Sequence, residues 1–181
     1  MKIFAHRGAS AYAPENTLES FALAAEMKAD GIELDVQFTK DGEIVVCHDE
    51  TLDRTSDGHG WLKDYTLAEL KALHFNKTHP EYKDARIPTL REVFELMKPT
   101  GLLINVELKT GIFTYDGIEE KTAALTRELG MEEQVFYSSF NHFSVRKMKE
   151  LAPFAGAGLL YADRPIGVVP YANPSNSSST S

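Results

Sequence analysis

Three carboxylates and one lysine stand in two short segments that otherwise read as buried β-strands. The first segment, Gly-Ile-Glu-Leu-Asp-Val, carries Glu33 and Asp35, and the second, Leu-Ile-Asn-Val-Glu-Leu-Lys, carries Glu107 and Lys109. Side chains alternate across a strand, so the charged residues of each segment share the face opposite its aliphatic residues. Charges beside a packed core are costly unless they are paired or bind a metal. The pattern therefore predicts a cation site beside an anion site.

Two histidines end different predicted strands and would flank this acidic cluster. His6-Arg7-Gly8 closes the first strand, and His48-Asp49 closes the third. Such a pair can act as general acid and base, while Arg7, with its planar fork, and Lys109 could hold a phosphate. Carboxylate oxygens suit Ca²⁺ or Mg²⁺ better than Zn²⁺, and such a metal can stabilise charge on a phosphoryl oxygen. We therefore predict a metal-dependent phosphodiesterase.

Structural interpretations remain open for the same side chains. Glu33 and Asp35 could face solvent at a sheet edge, and the histidines could simply be hydrogen-bonded at strand ends. Lys109 could neutralise Glu107, and Arg7 could pair with Glu15 or Asp49. The acidic pattern that recurs around Glu107 favours the functional interpretation.

Composition and charge narrow the class of protein. The 181 residues suit one domain, and 43% apolar and 25% charged residues are ordinary for a soluble globular protein. A net charge of −8 argues against nucleic acid, and no apolar run is long enough for a membrane. The single Cys47 fits a reducing compartment, and the first strand begins too close to Met1 for a signal peptide. We expect a cytoplasmic protein.

Strand and helix patterns alternate along the chain. A helix is predicted from Pro14 to about Ala29, with Asn16 as its cap and Glu19 completing a capping box. Further strands are predicted at 43–48, 102–109, 135–138 and 158–161, and further helices near 67–73, from Pro88, over 115–129 and over 142–151. Residues 51–86 are a long insertion, which usually has a functional role.

This alternation predicts parallel strands joined by right-handed crossovers. An open doubly wound sheet buries both faces of its central strands, which then read as continuous hydrophobic runs. The second and fourth strands here have one polar face, which fits a barrel interior around a site. In a barrel, functional groups sit at the C-terminal ends of the strands. The predicted fold class is therefore α/β, a TIM-type (β/α) barrel.

Ordered motifs across residues 2–161 resemble the glycerophosphodiester phosphodiesterase family. They are His6-Arg7-Gly8, Pro14-Glu15-Asn16-Thr17, Glu33-Leu34-Asp35-Val36, His48-Asp49, Leu52-Asp53-Arg54-Thr55 through Gly60-Trp61, Ile87-Pro88-Thr89-Leu90, Glu107-Leu108-Lys109 and Ser138-Ser139-Phe140. Each motif is short, but their occurrence in one order makes the resemblance specific.

The resemblance implies hydrolysis of a small-molecule glycerophosphodiester to sn-glycerol 3-phosphate and an alcohol. It also implies a role for seven residues of this chain. The metal ligands would be Glu33, Asp35 and Glu107. The acid–base pair would be His6 and His48, and the phosphate contacts would be Arg7 and Lys109. The glycerol 2-hydroxyl would attack phosphorus, and water would open the cyclic phosphate that results. The released alcohol could be choline, ethanolamine or glycerol.

The chain departs from the family at its C-terminal end. A barrel of this type has eight strands and about 250 residues, whereas only about six strands are predicted here. We expect a truncated barrel domain at residues 1–165 with an insertion at 51–86, followed by a disordered or aberrant tail at 166–181. The open strand edges could be covered by self-association. The alternative function is a non-catalytic barrel that binds metal and phosphodiester or self-associates.

Overall fold

A computed structural model describes residues 1–162. Within this range six strands form one sheet: β1 (Phe4–His6), β2 (Gly31–Phe38), β3 (Ile44–Val46), β4 (Leu103–Leu108), β5 (Val135–Ser139) and β6 (Ala157–Leu159). The α-helices are α1 (Leu18–Glu26), α2 (Leu67–Ala72), α3 (Leu90–Met97), α4 (Ile118–Glu128) and α5 (His142–Leu151). Two short 3₁₀-helices, Leu62–Asp64 and Lys98–Thr100, complete the regular structure of this range. The α/β class is as predicted.

Five of the strands are parallel and lie in the order β1-β2-β4-β5-β6. This order is that of a partial barrel. The prediction that β3 continues the parallel series was wrong, because β3 pairs antiparallel with the far end of β2. Its connection is the tight turn around Gly42, and a turn of that length can join only antiparallel strands. The parallel wall therefore has five strands, and β3 is a hairpin extension of β2.

The two faces of the central strands have opposite characters. Ile32, Leu34 and Val36 of β2 belong to one buried apolar cluster with Phe21 of α1 and Phe94 of α3. These side chains and their neighbours on β4 form the layer between sheet and helices. The opposite face of the same strands carries the charged residues and lies inside the partial barrel.

The start of α1 differs from the predicted start. Thr17, rather than Asn16, caps the helix, and Ser20, rather than Glu19, completes the capping box. Asn16 has a left-handed φ of 57°, and its side-chain amide donates a hydrogen bond to Asp35 at 2.9 Å. Asn16 therefore points to β2 and leaves the cap to the next residue. The helix also ends at Glu26, before the predicted Ala29.

The 51–86 insertion contains a 3₁₀-helix and α2, and no named strand falls within these described residues, as the sequence indicated. It packs on a second, smaller apolar cluster, which comprises Val45, Cys47, Leu52, Leu62, Leu70, Phe75 and Ile87. The insertion thus has its own contact with the sheet through β3. The predicted tail at 166–181 lies outside the described residues. No helix in residues 1–162 is long and apolar enough to cross a membrane.

Candidate active site

A cluster of three carboxylates, which we call the acidic cluster, lies on the polar face of β2 and β4. Glu33, Asp35 and Glu107 are buried, with exposed fractions of 8%, 1% and 8%. The strands are in register, so Asp35 lies directly beside Glu107 and two residues beyond Glu33. One oxygen of each carboxylate lies within 4.8 Å of the others. The predicted convergence of these three side chains is therefore present in the structure.

Not every carboxylate oxygen of the acidic cluster has a hydrogen-bond partner among the described residues. Burial, followed by the nearby charges of Asp35 and Glu107, raises the pKa of Glu33 to about 8. Glu33 Oε2 accepts a hydrogen bond from the Arg7 backbone N–H at 3.0 Å. Within residues 1–162, Glu33 Oε1 and Asp35 Oδ1 are buried without a hydrogen-bond partner. Hard carboxylate oxygens left in this state fit a divalent cation such as Ca²⁺ or Mg²⁺.

Two cationic side chains border the acidic cluster. Lys109 Nζ lies 3.1 Å from Glu107 Oε1 and 3.8 Å from Asp35 Oδ1. Arg7 Nη1 lies 3.0 Å from Glu15 Oε1, and its Nε lies 3.7 Å from Asp35 Oδ2. Of the pairings that the sequence left open, those of Lys109 with Glu107 and of Arg7 with Glu15 are present. Both cations also stand where they could meet an anion beside a bound metal.

The two histidines differ in their surroundings. His6 ends β1, its side chain is 69% exposed, and its Nε2 lies 3.7 Å from Glu33 Oε2. His48 follows β3, and its Nδ1 lies 2.6 Å from Asp49 Oδ1. Because β3 is antiparallel, the chain returns along β2, and the Cys47 N–H bonds to the carbonyl of Asp35. The hairpin thus brings the chain segment that carries His48 back to the acidic cluster.

Arg54 links the segments that follow β1 and β3 and was not assigned a role from the sequence. Its Nη1 donates to Glu15 at 2.6 Å, and its Nε donates to Asp49 at 2.6 Å. The hydrogen bond from Arg54, with a further one from His48, lowers the pKa of Asp49 to about 2. A continuous chain of contacts therefore runs from His48 through Asp49, Arg54 and Glu15 to Arg7. The only sequence signal was the Leu-Asp-Arg-Thr motif, which gave no partner for the arginine.

Gln37 is a second contributor that sequence reasoning missed. It is fully buried in β2, and its Nε2 donates to the backbone carbonyls of Cys47, His48 and Asp49 at 2.9–3.2 Å. Its Oε1 accepts a hydrogen bond from the Tyr115 hydroxyl at 3.0 Å. Gln37 therefore fixes the backbone on both sides of His48. Its position on the polar face of β2, two residues after Asp35, was the available signal.

A model of the glycerophosphoryl diester phosphodiesterase family matches residues 6–170, a range that includes every residue of this site. The chain belongs to this family. The family match confirms the resemblance read from the ordered motifs, and it covers both histidines, all three acids and both cations.

Individual family members agree with this assignment. A glycerophosphodiester phosphodiesterase of Caldanaerobacter subterraneus is 52% identical over 160 residues, which are 88% of this chain and 66% of that protein. The crystal structure of an Agrobacterium tumefaciens glycerophosphodiester phosphodiesterase matches with a TM-score of 0.79 and 37% identity over 87% of this chain and 65% of its own. An Oleispira antarctica phosphodiesterase, solved with the product sn-glycerol-3-phosphate, matches with a TM-score of 0.80 and 36% identity over 92% of this chain and 68% of its own. The chain spans about two thirds of the length of these relatives.

Proposed function

We propose that this chain hydrolyses glycerophosphodiesters to sn-glycerol 3-phosphate and an alcohol, with a divalent cation held by Glu33, Asp35 and Glu107. One observation carries the proposal: three buried carboxylates converge within 4.8 Å, and two of their oxygens have no hydrogen-bond partner among the described residues. The bordering cations and histidines supply the other groups that phosphodiester hydrolysis needs. The product complex of the Oleispira antarctica relative supports the substrate class.

The donor set favours Ca²⁺ or Mg²⁺ as the cation. All three side chains offer carboxylate oxygens, and these hard ligands are the usual ones for both ions. When bound, the cation would offset the negative charge that develops on the phosphoryl oxygens. Dependence on a divalent metal is in keeping with membership of this family.

The histidines would move the protons of a two-step reaction. One histidine takes the proton of the substrate's glycerol 2-hydroxyl as that oxygen bonds to phosphorus, and the other gives a proton to the departing alcohol oxygen. The resulting cyclic phosphate is then opened by water, with the two histidines exchanging roles. An intramolecular nucleophile has a high effective molarity, so the protein mainly has to orient groups and neutralise charge.

The surroundings of each group support its proposed role. The Asp49 carboxylate, 2.6 Å from His48 Nδ1, orients the imidazole ring and leaves Nε2 for the substrate. His6 is largely exposed, and its Nε2 lies 3.7 Å from Glu33 Oε2 at the border of the acidic cluster. Arg7 and Lys109 would contact the phosphate, Arg7 with a planar fork and Lys109 as a point charge.

We further propose that residues 1–165 form the barrel domain and that the insertion at 51–86 forms one wall beside the site. The second apolar cluster, which anchors the insertion to β3, supports this division. A buried, single Cys47 supports a reducing, cytoplasmic compartment.

The proposal is tested by release of glycerol 3-phosphate from glycerophosphocholine by the 181-residue chain, with Mg²⁺ or Ca²⁺ and again with EDTA. We expect metal-dependent release that falls by at least about a hundredfold in His48→Gln. His59→Gln is the matched control, because His59 also pairs with an aspartate, Asp53, at 3.1 Å but lies in the exposed part of the insertion.

Release that EDTA does not reduce, or that His48→Gln retains, would contradict the proposed mechanism. An absence of release from folded protein would favour the non-catalytic alternative.

A further inference from the structure

Asn16 is buried beside the acidic cluster in a conformation that helix α1 does not require. It is 4% exposed and has a left-handed φ of 57°. Left-handed backbone is uncommon outside glycine, although asparagine tolerates it better than most residues. Thr17 already caps the helix. The unusual backbone of Asn16 must therefore have another cause.

The hydrogen bonds of Asn16 connect it to two parts of the site. Its Nδ2 donates to Asp35 Oδ2 at 2.9 Å, and its backbone N–H donates to the carbonyl of Arg7 at 3.0 Å. The Arg7 N–H in turn donates to Glu33 Oε2. Asn16 Oδ1 is buried without a hydrogen-bond partner in the described part of the chain. Since an unsatisfied buried amide oxygen is costly, the side chain is held for its donor atom.

The anchoring of one Asp35 oxygen has a consequence for the other. Oδ2 accepts the hydrogen bond of Asn16 and lies 3.7 Å from Arg7 Nε. Oδ1 lies 3.8 Å from Lys109 Nζ and remains buried without a hydrogen-bond partner within residues 1–162. Groups that orient a metal ligand in this way are costly to remove, typically by about 10–100-fold in metal affinity.

We infer that Asn16 is a positioning residue that fixes Asp35, and through Arg7 also Glu33, in the arrangement that binds the divalent cation. The inference rests on the proposed function, because it assigns a role toward the same cation. It also accounts for the left-handed backbone: at this φ the residue can leave the cap position to Thr17 and turn its amide toward β2.

The test compares two glycine variants at left-handed positions. Asn16→Gly removes the amide, and glycine adopts the same φ without strain. Lys28→Gly is the matched control, because Lys28 has a φ of 60° but is exposed at the end of α1, outside the site. Calorimetric titration of the metal-free full chain with Mg²⁺ and with Ca²⁺ should show about tenfold or greater weakening in Asn16→Gly. Lys28→Gly should bind like the wild type.

A second readout separates positioning from a general structural effect. The cation concentration that gives half-maximal glycerol 3-phosphate release should rise by about the same factor in Asn16→Gly, and saturating cation should restore most of the rate. A merely structural defect would lower the rate at every cation concentration and leave the half-maximal concentration unchanged. If circular dichroism shows that Asn16→Gly is unfolded, Asn16→Ser takes its place, because its shorter side chain cannot reach Asp35.

The outcomes distinguish this inference from the proposed function. Wild-type affinity in the folded Asn16 variant would overturn the role of Asn16 and leave the proposed cation site intact. If the wild-type chain binds neither cation, the proposed cation site is wrong, and the role of Asn16 is overturned with it.

Discussion

Two regions of this molecule bury carboxylates, and they differ in how the oxygens are satisfied. In the acidic cluster, Glu33 Oε1 and Asp35 Oδ1 lack hydrogen-bond partners among the described residues. In α4, Glu119 is equally buried at 7% exposure, but its Oε1 accepts a hydrogen bond from Ser144 Oγ at 2.6 Å. Its Oε2 lies 3.4 Å from Lys147 Nζ. Both Glu119 oxygens thus have partners.

This contrast shows that burial alone does not mark a cation site. Buried polar atoms are almost always hydrogen-bonded, so those that are not call for an explanation such as an ion. Glu119 needs no ion, because both of its oxygens have partners. Its partner Ser144 also bonds to Thr110 at 2.7 Å, so these residues connect α4 and α5 to the segment after β4. In the acidic cluster, two oxygens lack such partners among the described residues. Substitutions in each region test this difference.

The largest expected effect is on turnover when the acidic cluster loses a ligand. Glu33→Gln should lower glycerol 3-phosphate release by about a hundredfold or more, because a lost metal ligand forfeits several kcal/mol of charge stabilisation. The steady-state rate with saturating Mg²⁺ or Ca²⁺ measures this. Glu119→Gln is the matched control and should retain the wild-type rate. Equal losses in both variants would remove the distinction between the two regions.

The next effect concerns Arg54, which bridges Glu15 and Asp49. Arg54→Lys should lower kcat about tenfold or more, since a lysine cannot hold Glu15 and Asp49 together and small displacements of reacting groups are costly. Arg91→Lys serves as the control, because Arg91 pairs with Glu128 on the outer helices. An unchanged kcat in Arg54→Lys would show that the bridge does not orient His48.

A smaller effect is expected on stability in the satisfied region. Glu119→Ala should lower the free energy of unfolding by about 1–3 kcal/mol, because the buried hydroxyl of Ser144 loses the carboxylate that accepts its hydrogen bond. Urea denaturation measures this change. Cation affinity should stay at the wild-type value, and a weakened affinity would mean that the two regions are coupled.

A further expected effect is a pH dependence of the stability of the metal-free protein. The folded pKa of Glu33, about 8, lies above its ordinary value of 4.5, so the folded chain binds the extra proton between these values. Stability is therefore greatest below about pH 4.5 for this group and declines as pH rises toward 8. Urea midpoints of the EDTA-treated chain from pH 5 to 8 should show this decline, and Glu33→Gln should flatten it. A urea midpoint that rises from pH 5 to 8 in the wild type but not in Glu33→Gln would contradict a raised pKa of Glu33.

The parts of the fold that depend on local pattern could be predicted from the sequence. The α/β alternation, the helix at His142–Leu151 and the polar face that gathers Glu33, Asp35 and Glu107 follow from the periods of strands and helices. Local chemistry also sets helix starts such as the Thr89 capping box. In these cases the residues that decide the structure are near neighbours in the chain.

Features that depend on distant contacts could not be predicted. Asn16 looks like a helix cap until β2 brings Asp35 to it, 19 residues away, and Arg54 meets Glu15 across 39 residues. The antiparallel direction of β3, in contrast, follows from a local signal, the short turn at Gly42, which the prediction of an all-parallel alternation did not take into account. Propensity is a weak prior where tertiary contacts compete with it. The roles of His6, Arg7, His48 and Lys109 stay predictions.

The most direct test of the cation site is a crystal structure of this chain grown with Ca²⁺ under conditions that support turnover. We predict an anomalous peak within about 2.3–2.6 Å of oxygens from Glu33, Asp35 and Glu107. No peak is expected at Glu119. An ordered acidic cluster without a peak, or a peak at Glu119 instead, would contradict the claim that unsatisfied buried carboxylates mark the cation site.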